Sequence, residues 1–269
     1  MSELGQKPAV TPVPSATILL VRDTAVGLEV FMVKRHHQIE FASGALVFPG
    51  GKVAKGDYDA ALADFTDCAD GWFTEMRALG AAAIREVFEE SGILLARAEG
   101  SDALLPADRL PALDRYRVPL ERGEIGIAEM LRAERLRLVC DRLVHFAHWI
   151  TPKMLPKRFD THFFLAAAPQ GHAGQHDGRE SVDSVWLAPE AAIADRKRWN
   201  IMFPTKLNLM KLAKSKTVEE ALTAARAVKP VTVEPWADRN EKGPIVRIRE
   251  DAGYEQTWAP APKPDGTLP

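Results

Sequence analysis

Three glutamates follow an arginine within residues 85–92, REVFEESG. On a helix, Glu86, Glu89 and Glu90 lie three and four residues apart, so their carboxylates project from one side of the helix. Like charges at this spacing repel each other and destabilise a helix unless something compensates them. Magnesium does so with carboxylate oxygens and leaves the rest of its coordination shell to water and phosphate. The segment therefore indicates a metal site suited to phosphate chemistry, and the alternative is a solvated helix face without a ligand.

The helix that carries these glutamates is expected within residues 58–95. Its second half, TEMRALGAAAIREVFEESGILLA, is rich in helix-forming residues, and Gly92 is typical of a helix C-terminus. Upstream, residues 45–48 form a short apolar strand that Pro49, Gly50 and Gly51 terminate. We expect the glutamate helix to pack beside this turn.

Strands and helices alternate along the rest of the chain, which predicts a mixed domain. Proline interrupts residues 104–140, so this region is expected to be a helical insertion with its clearest helix over 125–140. The remaining predicted elements are a hairpin of strands 16–21 and 28–34, strands 144–150, 160–167, 184–187 and 245–248, and a helix over 204–227. We divide the chain into a flexible leader (1–13), a single domain (14–228) with insertions at about 58–77 and 104–140, and a proline-rich C-terminal extension (229–269).

Together with residues 48–51, FPGG, residues 85–93 resemble the Nudix box, whose pattern is Gly, five residues, Glu, seven residues, then Arg-Glu-aliphatic-x-Glu-Glu-x-Gly-aliphatic. The second half matches at every fixed position. In the first half, Asp57 stands where the family has glutamate, and 27 residues rather than seven separate it from Arg85. An alternative register would place Arg77 at that position, and we prefer Asp57.

The resemblance implies an α+β fold, an α/β/α sandwich with a mixed central sheet and here a helical insertion, and a diphosphate-cleaving hydrolase. It implies that the Gly51 carbonyl and the three glutamates bind Mg²⁺ or Mn²⁺, and that Arg85 holds a glutamate in place. The catalytic set is thus Arg85, Glu86, Glu89 and Glu90. Candidates for the general base are Glu86, Glu180 and Asp183, with Asp57 as an accessory carboxylate.

Residues 35–51, 149–152 and 157–164 are similar to the coenzyme A and acyl-CoA diphosphatase branch of the family, although His36 and Glu40 depart from its usual signature. This branch cleaves coenzyme A to adenosine 3',5'-bisphosphate and phosphopantetheine. Basic side chains at predicted strand ends are candidates for binding the phosphates, or else ordinary surface residues: Lys34, Arg35, Lys157 and Arg158. Trp149, Phe163 and Phe164 are interpreted as core residues.

Alternative substrates are ADP-ribose, NADH and nucleotide sugars, because fold and motif do not determine what lies beyond the diphosphate. A protein of another class, an inactive binding or regulatory module with the same fold, is a further alternative. Since the intact glutamates would have no physical purpose there, we prefer the enzyme.

Composition excludes several other classes of protein. The formal net charge of −2 provides no basic field for nucleic acid, and no apolar run of about eighteen residues predicts a membrane span. Two cysteines, Cys68 and Cys140, form neither a disulfide framework nor a zinc-ligand spacing, so a reducing cytoplasm is expected. The sequence leaves the assembly open, with a homodimer as one alternative.

Overall fold

The computed structural model describes residues 10–36, 44–176, 178–179 and 181–261. In chain order, the strands are β1 (Val13–Thr24), β2 (Gly27–Arg35), β3 (Leu46–Val47), β4 (Gly50–Lys52), β5 (Ala96–Ala98), β6 (Leu136–Leu138), β7 (Val144–Ile150), β8 (Phe159–Ala167), β9 (Ser181–Leu187), β10 (Thr232–Val233), β11 (Trp236–Asn240), β12 (Gly243–Arg247) and β13 (Trp258–Pro260). The α-helices are α1 (Thr74–Ser91), α2 (Leu110–Leu113), α3 (Arg117–Glu121), α4 (Ile127–Glu134), α5 (Pro189–Ala194), α6 (Phe203–Leu212) and α7 (Val218–Arg226). None of the helices in these ranges is long and apolar enough to cross a membrane.

The long strand β1 organises the main sheet, whose order is β10-β7-β8-β1-β2-β3. One edge of β1 pairs in parallel with β8, and the other pairs antiparallel with β4 near its start and with β2 near its end. Strand β9 pairs antiparallel with β2. Because parallel and antiparallel pairs share one sheet, the predicted mixed sheet and the β1–β2 hairpin are confirmed.

Side chains alternate along β1 between two cores, as the period of two in a strand requires. Ala16, Ile18 and Leu20 pack in the first core, and Leu19 and Val21 pack in the second core on the opposite face of the sheet. The first core is covered by α1 and the insertion, and the second by α5, α6 and α7. Helices on both faces of the sheet confirm the predicted α/β/α sandwich.

Helix α1 is the element that positions the glutamates. Ile84, Val87 and Phe88 are fully buried in the first core. Their spacing of three and four residues places them on one side of the helix, which faces the sheet. Gly92 ends the helix with φ of 72°, a left-handed conformation that glycine adopts without strain, and its N–H donates to the Phe88 carbonyl at 2.8 Å. The C-terminal half of α1 is therefore fixed by both packing and capping.

Two predicted helices are shorter than expected. The helix predicted over 125–140 ends at Glu134, because Arg135 has φ of 53° and the next residues form β6, which pairs with β5. The helix predicted over 204–227 is two helices, α6 and α7, since Thr217 accepts a hydrogen bond from the Glu220 N–H and caps α7. A capping hydroxyl offers the backbone a partner that competes with continuation of the helix.

The proline-rich segment after residue 229 packs on the domain in its described part. Strand β10 joins the main sheet beside β7, and Val233 and Ile248 are buried in the second core. The Tyr254 hydroxyl accepts a hydrogen bond from Trp149 Nε1 at 3.0 Å and donates to Asn208 Oδ1 at 2.7 Å. Residues up to Ala259 thus contribute to the core, while the boundaries of the predicted leader and extension stay predictions.

The two cysteines are neighbours in the folded chain although neither forms a disulfide. A hydrogen bond from the buried Cys140 thiol lowers the pKa of Cys68 to about 6, with a further contribution from Thr66 and in spite of partial burial. The pKa of Cys140 is raised well above its ordinary value by the same hydrogen bond and by complete burial. Near neutral pH, we therefore expect Cys68 to be a thiolate and Cys140 to be a protonated thiol.

We expect Cys68 to react with iodoacetamide at neutral pH with a rate that titrates near pH 6, because the thiolate is the reactive form. Mass spectrometry of the alkylated protein would locate the label, and Cys140→Ala would move the midpoint of the rate toward the ordinary thiol range. An unchanged midpoint in Cys140→Ala would show that the Cys140 hydrogen bond does not set the pKa.

Candidate active site

The arginine that precedes the glutamates holds two of them. Arg85 Nη1 donates to Glu86 Oε1 at 3.0 Å and to Glu89 Oε1 and Oε2 at 3.1 and 3.0 Å. Glu90 Oε2 accepts from the Gly50 N–H at 3.3 Å. The carboxylates therefore meet on the side of α1 that lies against the turn before β4, as expected from their spacing.

Asp57 holds the other side of the same guanidinium. Arg85 Nε and Nη2 donate to its two carboxylate oxygens, each at 2.9 Å, and the Ala54 N–H donates to Asp57 Oδ2 at 2.8 Å. Only 2% of Asp57 is exposed. Arg77, the alternative register, lies eight residues before Arg85 on α1, about 12 Å along the helix axis. The preferred register is consistent with this geometry, because Asp57 and Arg85 meet despite the residues between them.

Gly51 lies so close to Glu86 that a side chain at this position would displace the Glu86 carboxylate. A Cβ atom at this position would lie 2.5 Å from Glu86 Cδ and from both of its carboxylate oxygens. The antiparallel pairing of Gly51 with Ala16 fixes the backbone there. Strand β4 thus brings the Gly51 backbone close to the Glu86 carboxylate, and their role as metal ligands stays a prediction.

Negative charge is in excess around Arg85, since its guanidinium contacts three carboxylates, those of Asp57, Glu86 and Glu89. Burial, followed by the charge of Glu86, raises the pKa of Glu89 to about 8, and Arg85 only partly opposes this. Burial would lower the pKa of Arg85, but hydrogen bonding to Asp57 and the charges of Glu86 and Asp57 outweigh burial and raise it. The site therefore favours additional positive charge, and its donors are all oxygen atoms, which magnesium and manganese prefer.

We expect Gly51→Ala to lower catalytic turnover on the order of 100-fold while leaving the melting temperature nearly unchanged, because the flexible Glu86 carboxylate moves away from the new methyl group. Gly56→Ala is the matched control: its nearest neighbour would lie 3.5 Å from the new Cβ, an ordinary contact. Steady-state kinetics and thermal melts of both variants would test this, and equal turnover in the two would refute the role of Gly51.

Two of the predicted polar residues lie away from the glutamates. On β9, Asp183 shares a face with Val185 and Leu187, which pack on the second core, whereas α1 covers the first core. Lys34 is the cross-strand neighbour of Asp183 and lies on that same face. Asp183 and Lys34 therefore lie on the face of the sheet opposite to α1. The expectation that they line the site is wrong for this reason. Glu180 lies outside the described residues.

The remaining basic candidates differ from one another. Arg158 is 6% exposed, and its guanidinium donates to the carbonyls of Thr151 and Val10 and to Glu234. These contacts connect Val10 and Thr151 with Glu234 of the C-terminal segment, so Arg158 is a structural residue rather than the predicted phosphate ligand. Lys157 is exposed.

Arg35 continues the face of Phe31 and Val33, which is that of α1, and its Nε is buried without a hydrogen-bond partner among the described atoms. Arg35 therefore lies on the sheet face that α1 covers, and its role in binding phosphate stays a prediction. The predicted core residues Trp149, Phe163 and Phe164 are all buried, which confirms that interpretation.

Two features of this face were not predicted from the sequence. The first is Arg117 of α3, which donates from Nε to the Glu89 carbonyl at 3.0 Å, near the C-terminus of α1 where a cation is favourable.

The second is a cluster of three histidines on β7 and β8. His145, His148 and His162 stack beside one another, with the ring centroids of His148 and His162 4.0 Å apart. Burial, followed by the charge of His148, lowers the pKa of both His145 and His162 to about 4.

Comparisons with known proteins relate the chain to one family of hydrolases. A sequence profile of the NUDT19 Nudix domain matches residues 72–210. The acyl-coenzyme A diphosphatase NUDT19 of Xenopus laevis is 26% identical over 216 residues, which cover 65% of this chain and 57% of that protein. Nudix hydrolase 7 of Caenorhabditis elegans is 26% identical over 225 residues, which cover 82% of this chain and 67% of that protein. The chain thus spans between about half and two thirds of the length of these relatives.

Among solved structures, the crystal structure of a NUDIX hydrolase from Alicyclobacillus acidocaldarius is similar with a TM-score of 0.67 and 26% sequence identity. The match covers 79% of this chain and 96% of that chain. Nearly the whole of the solved structure is therefore represented in the fold described above.

Proposed function

Because this chain belongs to the Nudix hydrolase family, we propose that it is a metal-dependent hydrolase that cleaves a diphosphate linkage with water. The observation that carries the proposal is the network around Arg85, which gathers Asp57, Glu86 and Glu89 on one guanidinium. Buried charge of this kind costs stability unless it is paired, and a solvated helix face would not need it. The network is what a site for cations and phosphate requires.

The metal ligands in this proposal are the Gly51 carbonyl and the carboxylates of Glu86, Glu89 and Glu90. The close approach of Gly51 to Glu86, the oxygen donors and the excess of negative charge all suit Mg²⁺ or Mn²⁺. When bound, such an ion supplies positive charge that offsets that of the diphosphate and makes the attacking water more acidic.

The protein side chains have separate tasks in this reaction. Asp57 fixes the plane of the Arg85 guanidinium, and Arg85 in turn orients Glu86 and Glu89. Glu90 is held by the Gly50 N–H. Glu86 is our candidate for the general base that accepts the proton of water, because its side chain is the more exposed of the two that Arg85 orients, at 14% against 6%.

The proposed substrate is coenzyme A or an acyl-CoA, cleaved to adenosine 3',5'-bisphosphate and phosphopantetheine or its acyl derivative. The similarity to an acyl-coenzyme A diphosphatase supports this choice. Arg35 supports it as well, because its buried Nε has no hydrogen-bond partner within the described part of the chain, and a guanidinium on the face of α1 is suited to a phosphate group.

A substrate screen would test the function. Purified protein with Mg²⁺ or Mn²⁺ would be incubated with coenzyme A, an acyl-CoA, ADP-ribose, NADH and a nucleotide sugar, and the products identified by mass spectrometry. We expect coenzyme A species to be cleaved fastest and the products to be two monophosphates. Inertness toward coenzyme A species would refute the substrate, and inertness toward all five would refute the hydrolase.

The proposal also includes a cytoplasmic location, while a homodimer stays one alternative for the assembly. The location is supported by two cysteines that form no disulfide. Cell fractionation would test it, and light scattering coupled to size-exclusion chromatography would test the assembly.

A further inference from the structure

We propose that His148, Asp160 and His162 form a second metal site, one that takes a divalent transition-metal ion such as Zn²⁺ rather than Mg²⁺. One ligand atom from each residue lies within 4.8 Å of the others. His148 Nε2 lies 2.5 Å from Asp160 Oδ1, and His162 Nε2 lies 3.9 Å from the same oxygen. Ligands of a tetrahedral zinc ion are about 3.4 Å apart, so shifts of about 1 Å in the side chains suffice to close the site.

Both histidines are already oriented for a common ion. His148 Nδ1 lies 2.8 Å from Thr232 Oγ1, and His162 Nδ1 lies 3.1 Å from His145 Nε2. Each contact turns the Nε2 atom of its ring toward Asp160. Histidines that bind metals typically hold their second ring nitrogen in this way, which fixes the tautomer and the ring plane.

The position of the cluster suits a functional ion. The side chains of His148, Asp160 and His162 are 16%, 36% and 17% exposed, so an ion can reach them while most of each ring stays in the protein. Three protein ligands leave at least one coordination position of a zinc ion open, as in catalytic rather than closed structural zinc sites.

The cluster also lies on the same level of the sheet as the glutamate site. Gly51 pairs with Ala16, Ala16 with His162, His162 with His148, and His148 with Thr232. Gly51 and His162 are therefore two strands apart, about 10 Å. At this separation each site takes its own ion.

The donor sets of the two sites select different ions. Imidazole nitrogens suit Zn²⁺, Co²⁺, Ni²⁺ and Cu²⁺, whereas carboxylate and carbonyl oxygens suit Mg²⁺ and Mn²⁺. The proposed second site has two imidazoles and one carboxylate. We therefore expect it to bind Zn²⁺ and Co²⁺ in the presence of excess Mg²⁺.

Binding of Co²⁺ alone, followed by visible absorption and equilibrium dialysis of EDTA-treated protein in excess Mg²⁺, tests the proposal without any activity measurement. The wild type should bind one Co²⁺ with the absorption of a nitrogen-ligated ion, and Zn²⁺ should displace it. His162→Gln and Asp160→Asn should each abolish this absorption. Thr232→Val, which removes only the contact to His148 Nδ1, should weaken binding about 10- to 100-fold.

Two controls separate this site from the rest of the molecule. His176→Gln replaces a half-buried histidine outside the cluster and should leave Co²⁺ binding unchanged. Glu89→Gln combined with Glu90→Gln should also leave it unchanged, whatever the proposed hydrolase activity does. Wild-type protein that binds no Co²⁺ under excess Mg²⁺, or binding that survives both His162→Gln and Asp160→Asn, overturns the proposal. If His162→Gln does not fold, Asp160→Asn and the paramagnetic shift of histidine NMR signals in the wild type decide the question.

Discussion

Replacing Glu89 and Glu90 together with glutamine is expected to lower catalytic turnover by at least 10²- to 10³-fold while the protein keeps its fold. Glutamine is close to glutamate in shape but carries no charge, so it binds divalent ions weakly. The change also relieves repulsion in a site where burial and Glu86 raise the pKa of Glu89 to about 8. We therefore expect turnover and Mg²⁺ affinity to fall, and the melting temperature without metal to stay the same or rise.

A matched control is available on other helices. Glu129 of α4 and Glu190 of α5 are both exposed, and replacing them with glutamine removes two charges without touching the site. Steady-state kinetics and calorimetric titration with Mg²⁺ would compare the two double variants. If both keep wild-type turnover, Glu89 and Glu90 do not hold the catalytic metal ion, and the proposed site is refuted.

The glutamate cluster could be predicted from the sequence because its geometry is local. Spacings of three and four residues place Glu86 and Glu90 on one side of any helix, whatever the helix packs against. Gly92 as the helix end follows equally from local chemistry, since few other residues adopt its left-handed backbone conformation easily. Both predictions required only local information, the periodicity of a helix in one case and the conformational freedom of glycine in the other.

Asp57 was harder to assign because residues 58–84 separate it from its partner. The sequence alone left two registers, and the hydrogen bonds from Arg85 favour one of them. For Asp183 and Lys34, by contrast, the residue type was suitable but the location was not. The face of the sheet on which each side chain lies depends on the pairing of β2 with β9 and on the core that each face packs against, and the local sequence does not specify either.

The histidine cluster could not be predicted because it depends on an irregularity between two strands. In a regular strand, His145 and His148 would point to opposite faces, since they are three residues apart. The pairing of β7 with β8 shifts between His145 and Ala147, and this bulge returns His148 to the face of His145. His162 then joins them through cross-strand pairing with His148. Bulge and register are both set by tertiary structure.

Replacing Arg85 with methionine is expected to lower the free energy of unfolding by about 3–5 kcal/mol, because it leaves the buried carboxylates of Asp57 and Glu89 without their partner. Methionine retains most of the volume of the side chain, so the loss reflects charge rather than a cavity. Urea denaturation in the absence of divalent ions would measure it. Added Mg²⁺ should recover part of the loss if the remaining carboxylates bind it.

Two comparisons assign this loss to the network. Arg115→Met removes an exposed arginine, 64% accessible and paired with Glu134, and should lower the free energy of unfolding far less than Arg85→Met does. Adding Asp57→Asn to Arg85→Met should cost less than the sum of the two single changes, because the buried charge that Arg85 neutralises is then gone. Simple additivity would mean that Asp57 and Arg85 are not energetically coupled, and the register that places Asp57 in the site would lose its support. Coupling in stability together with loss of turnover in Asp57→Asn would connect the residue before the long interruption to the glutamates after it.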